Sequence, residues 1–209
     1  MTEKLEPLPI RFHEAEHKYE HLPTGEIMAY SATQICGWDA SPEKLANIAA
    51  SKHEWEPRGH ACHNALEAML TGGQQNPDDL DRFDEWITPL LEHKFWKSFE
   101  VIAAEYRMVD LKRSIGGSLD ALGIYQGKTI LLDLKSQKAK GRPYSTNRQC
   151  GAYVSMLCTL HPKIWIDECR TVWAKPGKTT VGPAQDPTRC CLDFCDAYAD
   201  FMHYKGSEF

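Results

Sequence analysis

Two apolar runs, Ser114 to Tyr125 and Thr129 to Gln137, flank Gly127-Lys128 and predict a pair of strands joined by a tight hairpin turn. That pairing brings Asp120, in Gly117-Ser118-Leu119-Asp120, opposite Asp133, in Ile130-Leu131-Leu132-Asp133-Leu134-Lys135. Side chains alternate along a strand, so Asp133 and Lys135 share one face. Two carboxylates and an ammonium converging on one face are costly to bury unless they bind something. Hard oxygen ligands of this kind suit Mg²⁺ or Mn²⁺, the outline of a metal-dependent phosphodiesterase site. A pair of solvated Asp residues near a strand end is the plainer alternative, and a D-x-K tripeptide alone does not separate the two.

The remainder of the chain supplies the separation. Arg58-Gly59-His60-Ala61-Cys62-His63-Asn64-Ala65-Leu66-Glu67 precedes the hairpin, and Gln149-Cys150-Gly151-Ala152-Tyr153 follows it. In this order the segments resemble the RecB-like branch of the PD-(D/E)XK nuclease superfamily, with its G-x-x-x-H-x-x-x-E helix, G-x-x-D strand, D-x-K strand and Q-x-x-x-Y helix. His17-Lys18-Tyr19, Thr24-Gly25 and Ser31-Ala32-Thr33-Gln34-Ile35 are similar to the opening of phage-type RecB-like exonucleases and mitochondrial genome maintenance exonucleases. Ala32 stands where those proteins carry Val. The similarity spans residues 12 to 175, and an ordered set of motifs is far more specific than any one member.

The resemblance implies an α/β fold: a restriction-endonuclease-like core, with a central mixed β-sheet flanked by helices, an N-terminal β-hairpin and a helical segment. It implies a DNA exonuclease, phage- or bacterium-like, acting from linear ends in recombination, repair or degradation, with DNA and, alongside it, single-strand-binding or recombination proteins as partners. It assigns catalysis to Asp120, Asp133 and Lys135, and an Mg²⁺ or Mn²⁺ shell to His63, Asp120, Asp133 and the backbone carbonyl of Leu134. Glu105, in Ala103-Ala104-Glu105-Tyr106-Arg107, is a further carboxylate candidate. Gln149 and Tyr153, four apart on a helix, would face the cleft and either bind the substrate backbone or hold Lys135 in place. A nicking or structure-specific endonuclease of the same fold and a non-catalytic DNA-binding member are the competing readings. A Cys/His interaction module is a third, but it has no paired C-x-x-C or H-x-x-x-H spacing to support it.

Length and charge bound these readings. At 209 residues and 42% hydrophobic content the chain suits one domain, with residues 11–97 carrying His63, 98–175 the catalytic core and 189–204 a final helix. No apolar run approaches a membrane span, and the Met-Thr-Glu-Lys-Leu-Glu start lacks a signal peptide's apolar stretch, so a cytoplasmic location is expected. A net charge of −5 argues against a broadly basic surface. Nevertheless Lys135, Lys138, Lys140, Arg142 and Arg148 fall within fourteen residues, a local strip able to draw phosphates toward carboxylates. Arg58, on the helix before the core, is a further candidate cation. Of the eight cysteines, Cys36, Cys190, Cys191 and Cys195 occupy the places where some RecB-like nucleases hold an iron–sulfur cluster, but the adjacent pair makes a poor cluster spacing. Reduced thiols in core and spacer positions are the expectation for the rest.

Turn and capping signals set the elements. Phe12 to Tyr19 and Ile27 to Tyr30 predict a hairpin around Leu22-Pro23-Thr24-Gly25, and Ser31 or Thr33 caps a short helix ending near Gly37. Ser41-Pro42 starts a second helix, Pro57 a third over about 58–71, and Asn76-Pro77 a fourth through Leu91. Strands are expected at 99–109, 114–125, 129–137 and 163–174, and helices after Asn147 and over 190–204, with a loop at 175–188. The last four residues, Gly206-Ser207-Glu208-Phe209, read as a cloning remnant.

Overall fold

The computed structural model describes residues 4–206, which leaves Ser207, Glu208 and Phe209 of that tail outside the described residues. At its centre, β6 (Ile115–Tyr125) and β7 (Lys128–Ser136) pair antiparallel, with Ala121 opposite Leu132 and Tyr125 opposite Lys128. The turn is Gln126-Gly127, one residue earlier than expected, because these two residues adopt φ of 52° and 76°. A two-residue hairpin turn of the primed type demands those positive angles, and Lys128 is free to begin the strand.

The remaining strands complete a mixed sheet of six. β5 (Phe99–Asp110) lies antiparallel along one edge of β6, and β8 (Glu168–Lys175) runs parallel to β7. β9 (Lys178–Val181) turns back on β8, and β4 (Tyr30–Ser31) pairs parallel with β6 at Ile115 and Gly116. Between the β4 pairing and the β7 pairing, residues 117–120 of β6 have no ladder partner on that side. β7 has left to follow β8, and the G-x-x-D segment lines the gap.

Leu131 packs with the cluster covered by α5 (Asn147–Leu160) and α6 (Pro187–Gly206), whereas Ile130, Leu132 and Leu134 pack with α3 (Lys52–Thr71) and α4 (Pro77–Leu91). Burial on both faces is why this strand reads as an unbroken apolar run. The fold is therefore α/β, a mixed sheet flanked by helices. Among the described residues no helix is long and apolar enough to cross a membrane.

Several boundaries differ from the expected ones. The stretch Phe12 to Tyr19 is itself folded back: β1 (Ile10–His13) and β2 (Lys18–His21) are joined by a 3₁₀ turn and by His17 at φ 51°, and β3 (Glu26–Ile27) adds a third strand. α3 begins at Lys52, with Pro57 inside it. The hydrogen bond that Pro57 lacks would have gone to the carbonyl of His53, an exposed residue whose oxygen water can satisfy. β8 starts at Glu168, five residues later than expected, and the expected loop at 175–188 contains β9, closed by Gly177 at φ 68°. Capping signals were reliable: Ser31 heads α1 (Ala32–Cys36), Ser41 heads α2 (Pro42–Ala50), and Asn76 heads α4.

α5 and α6 touch backbone to backbone at Gly151, where an added Cβ would lie 1.9 Å from the carbonyl oxygen of Cys190. Gly151→Ala therefore has to push the two helices apart, at a cost of about 3 kcal/mol. Thermal unfolding followed by circular dichroism should show a melting temperature lower by roughly 6–12 °C. An unchanged midpoint would mean that this crossing is not tightly packed in solution.

Candidate metal centre

Asp120 and Asp133 occupy the first positions beyond the β6–β7 ladder, where the strands separate. Asp120 is 5% exposed and Asp133 fully buried. The Asp120 Oδ2 accepts a short hydrogen bond from the backbone N–H of Leu134 across the gap, which fixes the carboxylate. Lys135 Nζ donates to Asp133 Oδ1 at 2.7 Å, the pairing that strand alternation anticipated. Asp133 Oδ2 is buried and has no hydrogen-bond partner among the described residues, a costly state for a carboxylate oxygen and one that a cation would relieve.

His63 comes from the middle of α3 and approaches from the other side. Its Nδ1 lies 2.8 Å from Glu105 Oε1 and 3.5 Å from Asp120 Oδ1. Each of His63, Glu105 and Asp120 offers one ligand atom, and the three atoms lie within 4.8 Å of one another. Glu105 reaches this point because its backbone leaves the strand conformation, with φ 43°. Ala104 pairs with Ala121 and Tyr106 with Leu119, so Glu105 faces Asp120 at a break in the ladder. Positive φ in a non-glycine residue inside a strand is strained, and strain of this kind concentrates where side-chain aim matters. Glu105 thus has a firmer place than sequence reasoning gave it, whereas Glu67, on the same side of α3 as His63, is not among the three clustered ligand atoms.

Electrostatics reflect three carboxylates crowded beside two cations. Burial pushes the Asp133 carboxyl up to about 6, opposed by Lys135 and assisted by Asp120. Asp120 is raised too, first by burial, with His63 working against the shift. Burial works against a charged His63, but Asp120 and Glu105 outweigh it and push its pKa up to about 9. Lys135 likewise overcomes burial through Asp133 and Asp120 and is raised above its ordinary value. It is therefore an ammonium at neutral pH and not a base.

The motif glycines and tyrosines explain one another. A Cβ on Gly117 would stand 2.9 Å from Tyr153 Cε1, and one on Gly116 would stand 2.5 Å from the ring of Tyr19. Tyr153 therefore presses against the unpaired stretch of β6, and Tyr19 against Gly116 just before it, where β6 still pairs with β4. Tyr153 is buried, accepts a hydrogen bond from Gln149 Nε2 (2.9 Å), and has its hydroxyl raised by burial and by the Asp120 charge. That corrects the expectation of a cleft-facing Tyr153: with its hydroxyl engaged by Gln149 and its ring under β6, it supports the site from below. Lys135 is held by Asp133 rather than by Gln149.

Sequence reasoning had not given Tyr19 or Tyr144 a role. Tyr19 is buried, bonds Ser118 and is pushed up to about 12, chiefly by burial, with Glu105 and Asp120 adding to the shift. Its signal was the His17-Lys18-Tyr19 motif. Tyr144 is 57% exposed, stands edge-on to Trp173 at 5.1 Å, and feels the charges of Lys135 and Asp133. No spacing pointed to it.

The cations divide. Lys140 and Arg142 are exposed beyond the end of β7. Lys138 pairs with Glu54 at 2.5 Å and Arg148 with Asp39 at 2.9 Å, so with Lys135 on Asp133 three of the strip's five cations are already engaged. Arg58 is not a surface cation: it is 6% exposed, donates from Nε to Ser136 Oγ and stacks 5.3 Å from the centre of Trp86. Ser136 alternates with Lys135, so Arg58 meets the face of β7 opposite to Asp133 and Lys135, while His63 of the same helix reaches Glu105 and Asp120. Among the cysteines, Cys190 is buried in the core, Cys36 and Cys191 are half-buried, and Cys195 is exposed.

No known family model matches the chain, and no curated protein sequence does. Among solved structures it is similar to one described as the crystal structure of SSO0001, with a TM-score of 0.36 and 14% identity over 80% of this chain and 73% of that one. A likeness at that level carries no argument about function.

The raised His63 has a measurable consequence. In metal-free protein its ring resonances should titrate near 9, and Glu105→Gln should lower the midpoint because one of the two partners loses its charge. A histidine raised from 6.5 to about 9 stabilises the fold fully below 6.5 and loses that contribution as the pH rises through 9. Proton NMR of the wild type, assigned with His63→Gln, decides the matter. A midpoint at or below 6.5 would show that the carboxylates do not hold the ring.

Proposed function

We propose that this chain is a divalent-metal-dependent deoxyribonuclease built on a restriction-endonuclease-like core, and that it acts as an exonuclease on linear DNA ends, single strands included. The observation that carries the reading is the convergence of His63, Glu105 and Asp120, with Asp133, outside that group of three ligand atoms, burying an Oδ2 that has no partner among the described residues. The donor set is an imidazole nitrogen and carboxylate oxygens, which fits Mn²⁺ and, with more oxygen ligands, Mg²⁺. His63, Glu105, Asp120 and Asp133 would hold the ion, with the Leu134 carbonyl as a further donor. When bound, a divalent ion supplies Lewis-acid charge against a phosphodiester.

The chain's own residues do the rest. Lys135, held cationic, orients the attacking water or offsets charge that develops on the phosphate. Tyr153 at Gly117 and Tyr19 at Gly116 keep this part of β6 rigid next to Asp120. Lys140 and Arg142 offer exposed charge to the DNA backbone, and such contacts attract without reading sequence. The setting proposed is the cytoplasm of a bacterium or an infected host, in recombination, repair or degradation of DNA, beside single-strand-binding or recombination proteins.

End-labelled linear DNA and closed circular DNA, each incubated with Mg²⁺, Mn²⁺ or EDTA, test the reading. Loss of linear substrate alone, and only with metal, is expected; cutting of the circle would assign an endonuclease. Asp120→Asn and Asp133→Asn should each lower the rate by about a thousandfold or more while circular dichroism stays native. A native-like variant with a near-normal rate would remove that residue from the metal shell.

Lys135→Ala separates charge from ligation. An ammonium is not a metal ligand, so this variant should bind Mn²⁺ by calorimetry yet turn over at least about a hundredfold more slowly. Lost Mn²⁺ affinity with normal cleavage at saturating metal would reverse the assignment.

A further inference from the structure

A second set of basic groups lies away from the carboxylates. Arg58, Arg82, Trp86 and Lys138 line a groove of about 510 Å³ between α3, α4 and the segment after β7. Arg58 is buried, yet among the described residues no ion pair holds it. One hydrogen bond, from Nε to Ser136 Oγ at 3.3 Å, and the face of Trp86 are what the protein gives it. A guanidinium carries five donors, and a buried one without a carboxylate is expensive to keep. Glu54, whose charge acts on Arg58, is itself bound by Lys138.

Arg82 adds a second guanidinium, exposed and lying 4.9 Å over the ring of Phe83, again without an ion pair among the described residues. Three permanent cations and one carboxylate therefore line this groove in a chain whose net charge is −5. The charge excess is local and has a floor: Arg58 is fixed between Trp86 and Ser136, ready to present a planar fork to an anion. Forks of this kind match phosphate oxygens.

We propose that the groove binds a backbone phosphate of a polynucleotide strand, at a subsite separate from the metal centre. Polynucleotide is favoured over a free anion because the groove adjoins the catalytic strand: Ser136, which holds Arg58, is the residue after Lys135. α3 joins the two sites, with Arg58 in the groove and His63 at the carboxylates, and Ser136 and Lys135 are neighbours on β7, so a chain passing over the end of β7 reaches both. In this part the proposal rests on the nuclease reading. Aromatic faces already covered by guanidinium leave little room for base stacking, so contact is through phosphate and tolerant of sequence.

Binding is measured on the full chain carrying Asp133→Asn, in EDTA, so that substrate survives and metal plays no part. Three probes are titrated: tripolyphosphate by calorimetry, a labelled single strand by anisotropy, and the same strand with uncharged methylphosphonate links. Arg82 is exposed, so Arg82→Ala and Arg82→Glu test the groove without endangering the fold. Arg82→Ala should weaken tripolyphosphate and the natural strand by about tenfold, the scale of one charge-assisted contact. Arg82→Glu should weaken both further, and the slope of log affinity against log salt should fall by about 0.7 for the strand. The uncharged strand should not respond.

Arg82→Glu with unchanged affinity for tripolyphosphate overturns the site. Weakened tripolyphosphate with unchanged strand affinity overturns the polynucleotide assignment and leaves a site for a free anion. Neither titration needs cleavage, so a wild type that binds the strand through Arg82 but cuts no DNA supports the groove and fails the nuclease reading.

Discussion

The site depends on the parting of β6 and β7 after the Ala121–Leu132 pair. While the strands are paired, their backbone groups satisfy one another. Where they part, Asp120 and Asp133 face each other across a gap, and the Leu134 N–H turns to Asp120 Oδ2 instead of to a strand. The same parting leaves residues 117–120 without a neighbouring strand on that side; Tyr153 presses against Gly117 there, and Tyr19 against Gly116, the last residue of the β4 pairing. On the far edge Glu105 answers with a strained backbone that turns its carboxylate in, and α3 supplies His63. One irregularity in strand pairing thus gathers side chains from three strands and a helix.

Gathering them is electrostatically uneven. Three carboxylates face His63 and Lys135, and burial, which the two cations only partly offset, holds Asp120 and Asp133 above the usual carboxylate range. A divalent ion that displaces the His63 proton would bring the cluster to neutrality. It would also give Asp133 Oδ2 the partner that the protein does not. Buried charge must be paired or shift its protonation, and the raised Asp133 carboxyl follows that rule.

Much of this was legible because it rests on local rules. Alternation put Asp133 and Lys135 on one face, and the hairpin put Asp120 across from Asp133. Ser31, Ser41 and Asn76 announced their helices through capping chemistry. What escaped were features set by long-range packing. Glu105 was legible only as a further carboxylate candidate, because nothing local reveals the φ of 43° that turns it inward. Tyr153 looked like a cleft residue because helical spacing gives a direction but not a depth, and Gly117 lets it sink below the sheet edge. Arg58 read as a surface cation because the sequence does not show Trp86 covering it. The start of α3 was hidden by Pro57, which breaks helices on average but is tolerated near an exposed first turn.

The most direct test is anomalous diffraction from crystals soaked in Mn²⁺. The account predicts one strong peak bonded to His63, Asp120 and Glu105, with Asp133 Oδ2 turned toward the ion. Ligand distances should be about 2.0–2.3 Å, the range of nitrogen and oxygen donors to first-row divalent ions. A peak elsewhere, or none at saturating Mn²⁺ with the cluster unchanged, would contradict a metal centre at this gap.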